Sequence, residues 1–391
     1  MRPGAVLLAA AALVACEAAP TVSPSSAPSA PASPSRSAAT SAPPGATTPS
    51  PTPEPSARPG IRATPAGVLP ESFRYVAVDL PIADGFRTRL WLVDLSARRA
   101  PTAVAEWDAP ASPVGGYSIS ADGKTAIVSA AGTRSRVALY LLRPQDAEVR
   151  VLFEEPGAIV VSSRISPDGQ RFAFTKYPAD GGSDLGMWTG ATSGGAPRRI
   201  VDGSTSSSVP IMALSWSADS TWLAFTRELE RTEIRLVSGD GGPEIAVGPG
   251  NKMSWRAKAP ELLVADPDTR ASRAYSFDLA TRKAVDLFTV DKLFIPLVQW
   301  HPSLERFVYV EAESASREAS GGIWIRNADG TGGTRLDTGR SVSAPQWSSD
   351  GTMLTVLGGG DDAVVPVVEL FSGRRITVLC RRGGTPPGDC V

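Results

Sequence analysis

The stretch Ser163 to Lys176, SRISPDGQRFAFTK, sets a Ser-Pro-Asp-Gly turn directly before a short apolar strand, and related junctions recur down the chain. The residue types suit a type I turn: serine opens it, proline presets φ at the second position, and glycine is free to take a left-handed conformation. Ile165 before the turn and Phe172-Ala173-Phe174 after it then lie on adjacent antiparallel strands of one hairpin, apolar enough to be covered on both faces. The pair that opens the turn recurs as Ile119-Ser120, Ile165-Ser166, Trp216-Ser217, Trp255-Arg256, Trp300-His301 and Trp347-Ser348, at intervals of 46, 51, 39, 45 and 47 residues. An apolar strand follows each: Ala126-Ile127-Val128, Phe172-Ala173-Phe174, Leu223-Ala224-Phe225, Leu262-Leu263-Val264, Phe307-Val308-Tyr309 and Leu354-Thr355-Val356.

Two further strands follow in most units, as in Gly322-Ile323-Trp324-Ile325-Arg326, the turn Asn327-Ala328-Asp329-Gly330, and Thr334-Arg335-Leu336. A seventh, incomplete unit precedes the six, with strands at Phe73 to Val78, Arg89 to Val93 and Thr102 to Ala105; its first strand is expected from Ile61 to Val68. Four-stranded units repeating every forty-odd residues are the mark of an all-β fold, a β-propeller of antiparallel blades, because no blade buries its own faces and each must stack on its neighbours. Glu71 to Cys380 spans 310 residues, or about 44 per blade for seven blades, with six or eight also compatible. A β-sandwich, the other reading of many hairpins, needs no fixed period and would not place an aromatic-turn pair repeatedly in one register. Trp216, Trp255, Trp300 and Trp347 are therefore expected to pack between blades, with ligand stacking as the alternative role.

A W-S-P-D-G turn followed by an I-A-F-like strand resembles the repeat of the TolB-type, WD-repeat-like propellers of exported bacterial proteins. The resemblance runs through most of the folded body, best at Ile165 to Thr175, and implies that fold together with protein partners. The turn departs from the pattern at Ser220, which stands for glycine, at Arg256-Ala257-Lys258-Ala259 and at Pro302-Ser303-Leu304.

Residues 1–15 read as an export signal: one cation at Arg2, then the apolar run Ala5 to Ala15, too short to cross a bilayer. The run ends in Leu13-Val14-Ala15-Cys16, which resembles the bacterial lipobox. The resemblance implies that Cys16 is acylated and becomes the first residue of a protein anchored in the cell membrane outside the cytoplasm; ordinary cleavage with an incidental Cys16 is the alternative. Residues 16–60 continue as a segment of almost only Ala, Pro, Ser and Thr, with too little apolar bulk to offset the entropy of ordering it. It is expected to be a tether, biased by its prolines to extended conformations, with Ser/Thr-Pro sites open to O-glycosylation. Residues 61–391 form the folded body.

The chain has 3 cysteines. Assigning Cys16 to lipid leaves Cys380 and Cys390 as a pair, which in an oxidising compartment would close a small loop and contribute about 2 to 3 kcal/mol. A redox-active dithiol is the less fitting reading, since those use a tighter spacing at a helix start.

Thirty-nine basic against 40 acidic residues argue against a chain-wide footprint for nucleic acid, and no such partner is expected. The single histidine, His301, excludes a three-histidine zinc site. It stands in the serine slot of a degraded turn, and is expected to be a solvated or locally hydrogen-bonded turn residue. No G-x-S-x-G elbow occurs, and these 391 residues leave no room after the blades for a hydrolase domain, so no catalytic residue and no cofactor is nominated.

The loops joining second and third strands gather at one mouth of a propeller. Here they carry Asp79, Asp84 and Arg87; Tyr177, Asp180 and Asp184; Glu228, Glu230 and Arg231; Asp266, Asp268 and Arg270; Glu311, Glu313 and Arg317; and Asp361 and Asp362. If these converge, a carboxylate-lined funnel would suit a cationic peptide or a divalent ion; otherwise they are solvated loop tips neutralised by neighbouring arginines. Asp266-Pro267-Asp268 and Asp180 to Asp184 lack the full spacing of a calcium loop, and no metal site is assigned. The expected function is a non-catalytic binding or scaffold module, monomeric and membrane-anchored, for a protein, peptide or envelope polymer. The alternative is a metal-dependent lyase or lactonase using the mouth carboxylates.

Overall fold

The computed structural model describes residues 61–380 apart from 83–84, 97–100, 111–115, 131–136, 179–185, 204–210, 229–230, 268–270, 314–321, 337–341, 349, 359–362 and 370–374. Regular structure among them is entirely β, arranged as seven four-stranded antiparallel sheets. The first holds β1 (Ile61–Ala63), β2 (Phe73–Ile82), β3 (Gly85–Asp94) and β4 (Thr102–Pro110). The second holds β5 (Tyr117–Ile119), β6 (Ala126–Ala130), β7 (Ala138–Arg143) and β8 (Glu148–Phe153). The third holds β9 (Ala158–Ile165), β10 (Arg171–Pro178), β11 (Met187–Ala191) and β12 (Arg198–Val201). The fourth holds β13 (Met212–Trp216), β14 (Trp222–Glu228), β15 (Thr232–Ser238) and β16 (Ile245–Pro249). The fifth holds β17 (Lys252–Trp255), β18 (Glu261–Asp266), β19 (Ala271–Asp278) and β20 (Lys283–Asp291). The sixth holds β21 (Phe294–Trp300), β22 (Arg306–Ala312), β23 (Gly322–Asn327) and β24 (Thr334–Leu336). The seventh holds β25 (Val342–Trp347), β26 (Met353–Gly358), β27 (Ala363–Glu369) and β28 (Arg375–Cys380).

Six sheets run in simple sequence order, each strand paired with the next. The first does not: its order is β1-β4-β3-β2, and Ile61 pairs with Trp107 and Ala63 with Ala105. Ile61 was expected to open the strand beside Phe73; it instead closes the far edge of that sheet. The edge of β2 that other sheets cover with a strand is met by a side chain, the Tyr117 hydroxyl donating to the carbonyl of Tyr75 at 3.0 Å.

Apolar side chains on facing sheets form the core, as a stacked-blade fold requires. Between the fourth and fifth sheets, Ala224, Ile234 and Leu236 pack against Leu262, Val264, Tyr275 and Phe277. The repeated tryptophans sit in these seams: Trp216, Trp255, Trp300 and Trp347 are 6, 9, 4 and 6% exposed, so their role is packing between sheets. Trp216 donates from Nε1 to the Arg164 carbonyl at 3.2 Å, and Trp255 to that of Ser215 at 3.1 Å, each tying its sheet to the one before. The buried Arg74 on β2 hydrogen-bonds the Thr355 hydroxyl on β26, which joins the first sheet to the seventh across 281 positions of sequence.

Candidate functional site

The Ser-x-Asp turns fix one end of the sheets. In all six, the N–H of the opening residue donates to the carbonyl five residues on, for Ser120, Ser166, Ser217, Arg256, His301 and Ser348, at 2.8 to 2.9 Å. The four serine turns add a side-chain lock. Ser120, Ser166, Ser217 and Ser348 donate from Oγ to Asp122, Asp168, Asp219 and Asp350 at 2.5 to 2.7 Å, and each Asp accepts the N–H two residues on. Burial pushes the Asp168 carboxyl up, but hydrogen bonds from Ser166, Gln170 and Ser220, with Arg171 nearby, outweigh it and hold it below the usual carboxylate range. Gly169 closes its turn at φ +71°, where a side chain is unfavourable. Ser220 takes the same place at φ +61°, and the strain is offset because its hydroxyl accepts the Asp168 N–H of the neighbouring sheet at 3.2 Å.

The two departures keep the frame by other means. Arg256 pairs with Glu261 in its own sheet and with Glu305 of the next, its guanidinium 5.1 Å above the Trp300 ring. His301, 3% exposed, accepts at Nδ1 from the N–H groups of Ser303 and Leu304 at 3.0 and 2.9 Å. Those donors leave Nδ1 unprotonated and put the proton on Nε2, which donates to the Gly351 carbonyl of the seventh sheet at 2.8 Å. Burial lowers the His301 pKa, the Gly351 carbonyl partly restores it, and Arg306 lowers it further. His301 is thus locally hydrogen-bonded as expected, but buried rather than solvated.

Neighbouring turns touch one another, Gly169 against Ser120 and Thr125, Gly351 against His301 and Pro302, so they share one end of the sheets. The strands that leave them carry the predicted acids to the other end. Asp79 lies on β2; Tyr177, Glu228, Asp266 and Glu311 lie on the last residues of β10, β14, β18 and β22, and Glu313 just beyond. Asp84, Asp180, Asp184, Glu230, Asp268, Asp361 and Asp362 lie outside the described residues, as do Cys16 and Cys390, while Cys380 ends β28. Two of these acids are held locally: Glu228 accepts from the Thr232 hydroxyl at 2.7 Å, and the buried Glu311 from the Tyr309 hydroxyl at 3.1 Å. Among the described residues no three His, Cys, Asp or Glu side chains form a group able to hold a metal.

Sequence reasoning missed a groove of about 360 Å³ on the turn end between the fourth and fifth sheets, lined by Asp219, Trp222, Trp255, Lys258, Pro260 and Leu279. It opens where the Arg256 turn departs from Ser-x-Asp and puts Lys258 and Ala259 in place of Asp and Gly. It also missed Arg74. The signal was a lone cation inside the apolar run Phe73-Arg74-Tyr75-Val76.

No family model matches the chain, and no curated protein sequence does. Solved structures do. The putative TolB of Agrobacterium tumefaciens is similar at 18% identity, over 61% of this chain and 86% of that one, with a TM-score of 0.46. A puromycin-hydrolyzing peptidase of Mycobacterium tuberculosis aligns at 17% identity over 82% of this chain and 56% of its own, TM-score 0.52. A structure from a study of two prolyl endopeptidases aligns at 11% identity over 79% and 50%, TM-score 0.56. This chain spans about half the length of the two peptidase structures. At such identities the likeness speaks for architecture alone; the seven four-stranded antiparallel sheets make this an all-β protein, a β-propeller.

Proposed function

We propose that the protein is a lipid-anchored, extracytoplasmic binding or scaffold propeller, held to the cell membrane through Cys16 and the 16–60 tether, with the acid-bearing strand ends as its recognition surface. Its partner is a protein, peptide or envelope polymer that presents cationic groups. The observation that carries this reading is the contrast between the two ends. Side-chain locks and cross-sheet bonds occupy the turn end, whereas among the described residues four of the seven sheets, through Asp79, Glu228, Asp266 and Glu311 with Glu313, send acidic residues toward the other. Like charges around one rim add, and they steer a cationic partner in a salt-dependent way.

The test is fluorescence anisotropy of a labelled lysine-rich peptide titrated with the protein at low and at physiological salt. The expected result is saturable binding that weakens with salt, and that falls about tenfold, or 1.4 kcal/mol, in a Glu228→Gln, Asp266→Asn, Glu313→Gln variant. No saturable binding, or binding indifferent to the three substitutions, would overturn the acidic-surface reading. Failure of a Cys16→Ala variant to leave the membrane fraction would overturn the anchor.

A further inference from the structure

Arg74 sits where the first, second and seventh sheets meet, only 7% exposed. Its Nη1 is taken by the Thr355 hydroxyl, which in turn donates to the Gln346 carbonyl at 2.8 Å. Tyr117 of the second sheet stands close enough to interact with the guanidinium electrostatically. The Tyr117 hydroxyl is already committed to the backbone of β2. Arg74 Nε is fully buried and has no hydrogen-bond partner, and among the described residues no carboxylate pairs with this side chain.

A buried guanidinium with one neutral partner is unusual, because taking a cation out of water is strongly unfavourable unless an anion or a full set of acceptors replaces the solvent. Lys176 and Arg256 obey that rule: the similarly buried Lys176 holds Glu155 at 2.9 Å, and Arg256 holds Glu261 and Glu305. Buried Nε groups without a partner also occur on Arg150, Arg227, Arg235 and Arg273, but the last three pair with carboxylates and Arg150 with two backbone carbonyls; Arg74 has neither among the described residues. With Nη1 engaged, the unpartnered Nε–H lies on the guanidinium edge it shares with Nη2, the side-on fork whose geometry matches the two oxygens of one carboxylate.

We propose that this junction is a carboxylate-binding site, with Arg74 as its anchor. The ligand is a single carboxylate, from a free small acid or from the C-terminus of a bound peptide. One cation beside Tyr117 balances one negative charge, and it would leave a phosphate dianion half compensated. The site lies at the start of β2, beside the turns, and is independent of the acid-bearing strand ends.

The full-length protein, in detergent, is titrated with sodium acetate against sodium chloride at matched ionic strength, reading the thermal midpoint and the ¹⁵N–¹H signal of the Arg74 Nε, identified as the one missing from Arg74→Lys. The expected result is a saturable rise of the midpoint and a saturable shift of that signal with acetate only, with acetate binding weakened at least about tenfold in Arg74→Lys and abolished in Arg74→Met. A short peptide with a free C-terminus and the same peptide amidated separate the two sources. Tighter binding of the free-acid peptide than of acetate assigns the site to peptide termini, and equal binding assigns it to small acids. An Nε signal that acetate leaves unmoved, or an acetate response retained in Arg74→Met, overturns the proposal. Should Arg74→Met fail to fold, the Nε signal of the native protein decides alone.

Discussion

Four turns of this propeller are locked by a Ser–Asp pair, and two are not, yet all six hold the same backbone bond between the opening residue and the fifth one on. The difference lies in the orphan amides of the turn. In the serine turns the N–H of the fourth residue donates to the opening carbonyl, at Gly123, Gly169, Ser220 and Gly351. At His301 the equivalent amide, that of Leu304, donates to the imidazole Nδ1 instead. One ring thereby takes the place of the opening carbonyl, accepts the Ser303 amide as well, and reaches the next sheet through its other nitrogen. At Arg256 a cation spans two sheets and leaves a groove behind it. The repeat specifies a set of satisfied backbone groups, and side chains of quite different chemistry can satisfy them.

Removing the histidine is the harshest way to break this equivalence. His301→Ala strips the acceptor from two amides, leaves the Gly351 carbonyl unpartnered, and deletes a ring packed 4.4 Å from Trp347. A loss of about 3 kcal/mol is expected in denaturant unfolding. Ser166→Ala should cost less, about 2 kcal/mol: it removes the donor to Asp168 and the acceptor of the Arg171 N–H, but the turn keeps Asp168 on Gln170. If the two variants cost the same, the imidazole is doing no more than a serine does.

The architecture was legible in sequence because its cause is repetitive. A period in the forties, with an aromatic residue before a turn and an apolar strand after it, leaves few ways to bury both faces of a hairpin. The strand order of the first sheet was not legible: Ile61-Arg62-Ala63 is too short to carry a pattern, and the β2 edge is met by Tyr117, a side chain of another sheet. The anchoring of Glu311 by Tyr309 was hidden in a strand that reads as uniformly apolar up to that point. Arg74 and Thr355 were invisible as a pair, since nothing local links residues 281 apart.

Acid sharpens the comparison next. The folded-state pKa of His301 lies below its unfolded value near 6.5, so the unfolded chain takes up the proton first. The stability that neutral His301 contributes is complete above that unfolded value and is lost as pH falls below it, at no more than about 1.4 kcal/mol per pH unit, until the folded pKa is reached. The Ser–Asp turns lose theirs lower, below about pH 4, as the depressed carboxyls of Asp168, Asp219 and Asp350 protonate. Urea midpoints between pH 7 and 5 should therefore slope in the native protein and flatten in His301→Gln, which keeps a polar side chain without the titration. A slope that survives the substitution would mean another group governs that range.

The smallest effect is expected at the Arg256 turn. Arg256→Ala removes its ion pairs with Glu261 and Glu305 and the cation from the Trp300 face, but Glu305 is 70% exposed, so water and salt already screen that pair. A loss of about 1 kcal/mol or less should be seen at low salt, shrinking further in 0.5 M sodium chloride, where the serine turns, built on neutral donors and short local bonds, should not change. The double change Arg256→Ser, Lys258→Asp is the converse. It installs the serine-turn residues in a frame whose backbone bond, Arg256 N–H to the Glu261 carbonyl at 2.9 Å, is already in place. Recovery of the lost stability by that pair, and not by Arg256→Ser alone, would show that the lock is a property of the two side chains together, each needing the other to meet the amides of the turn.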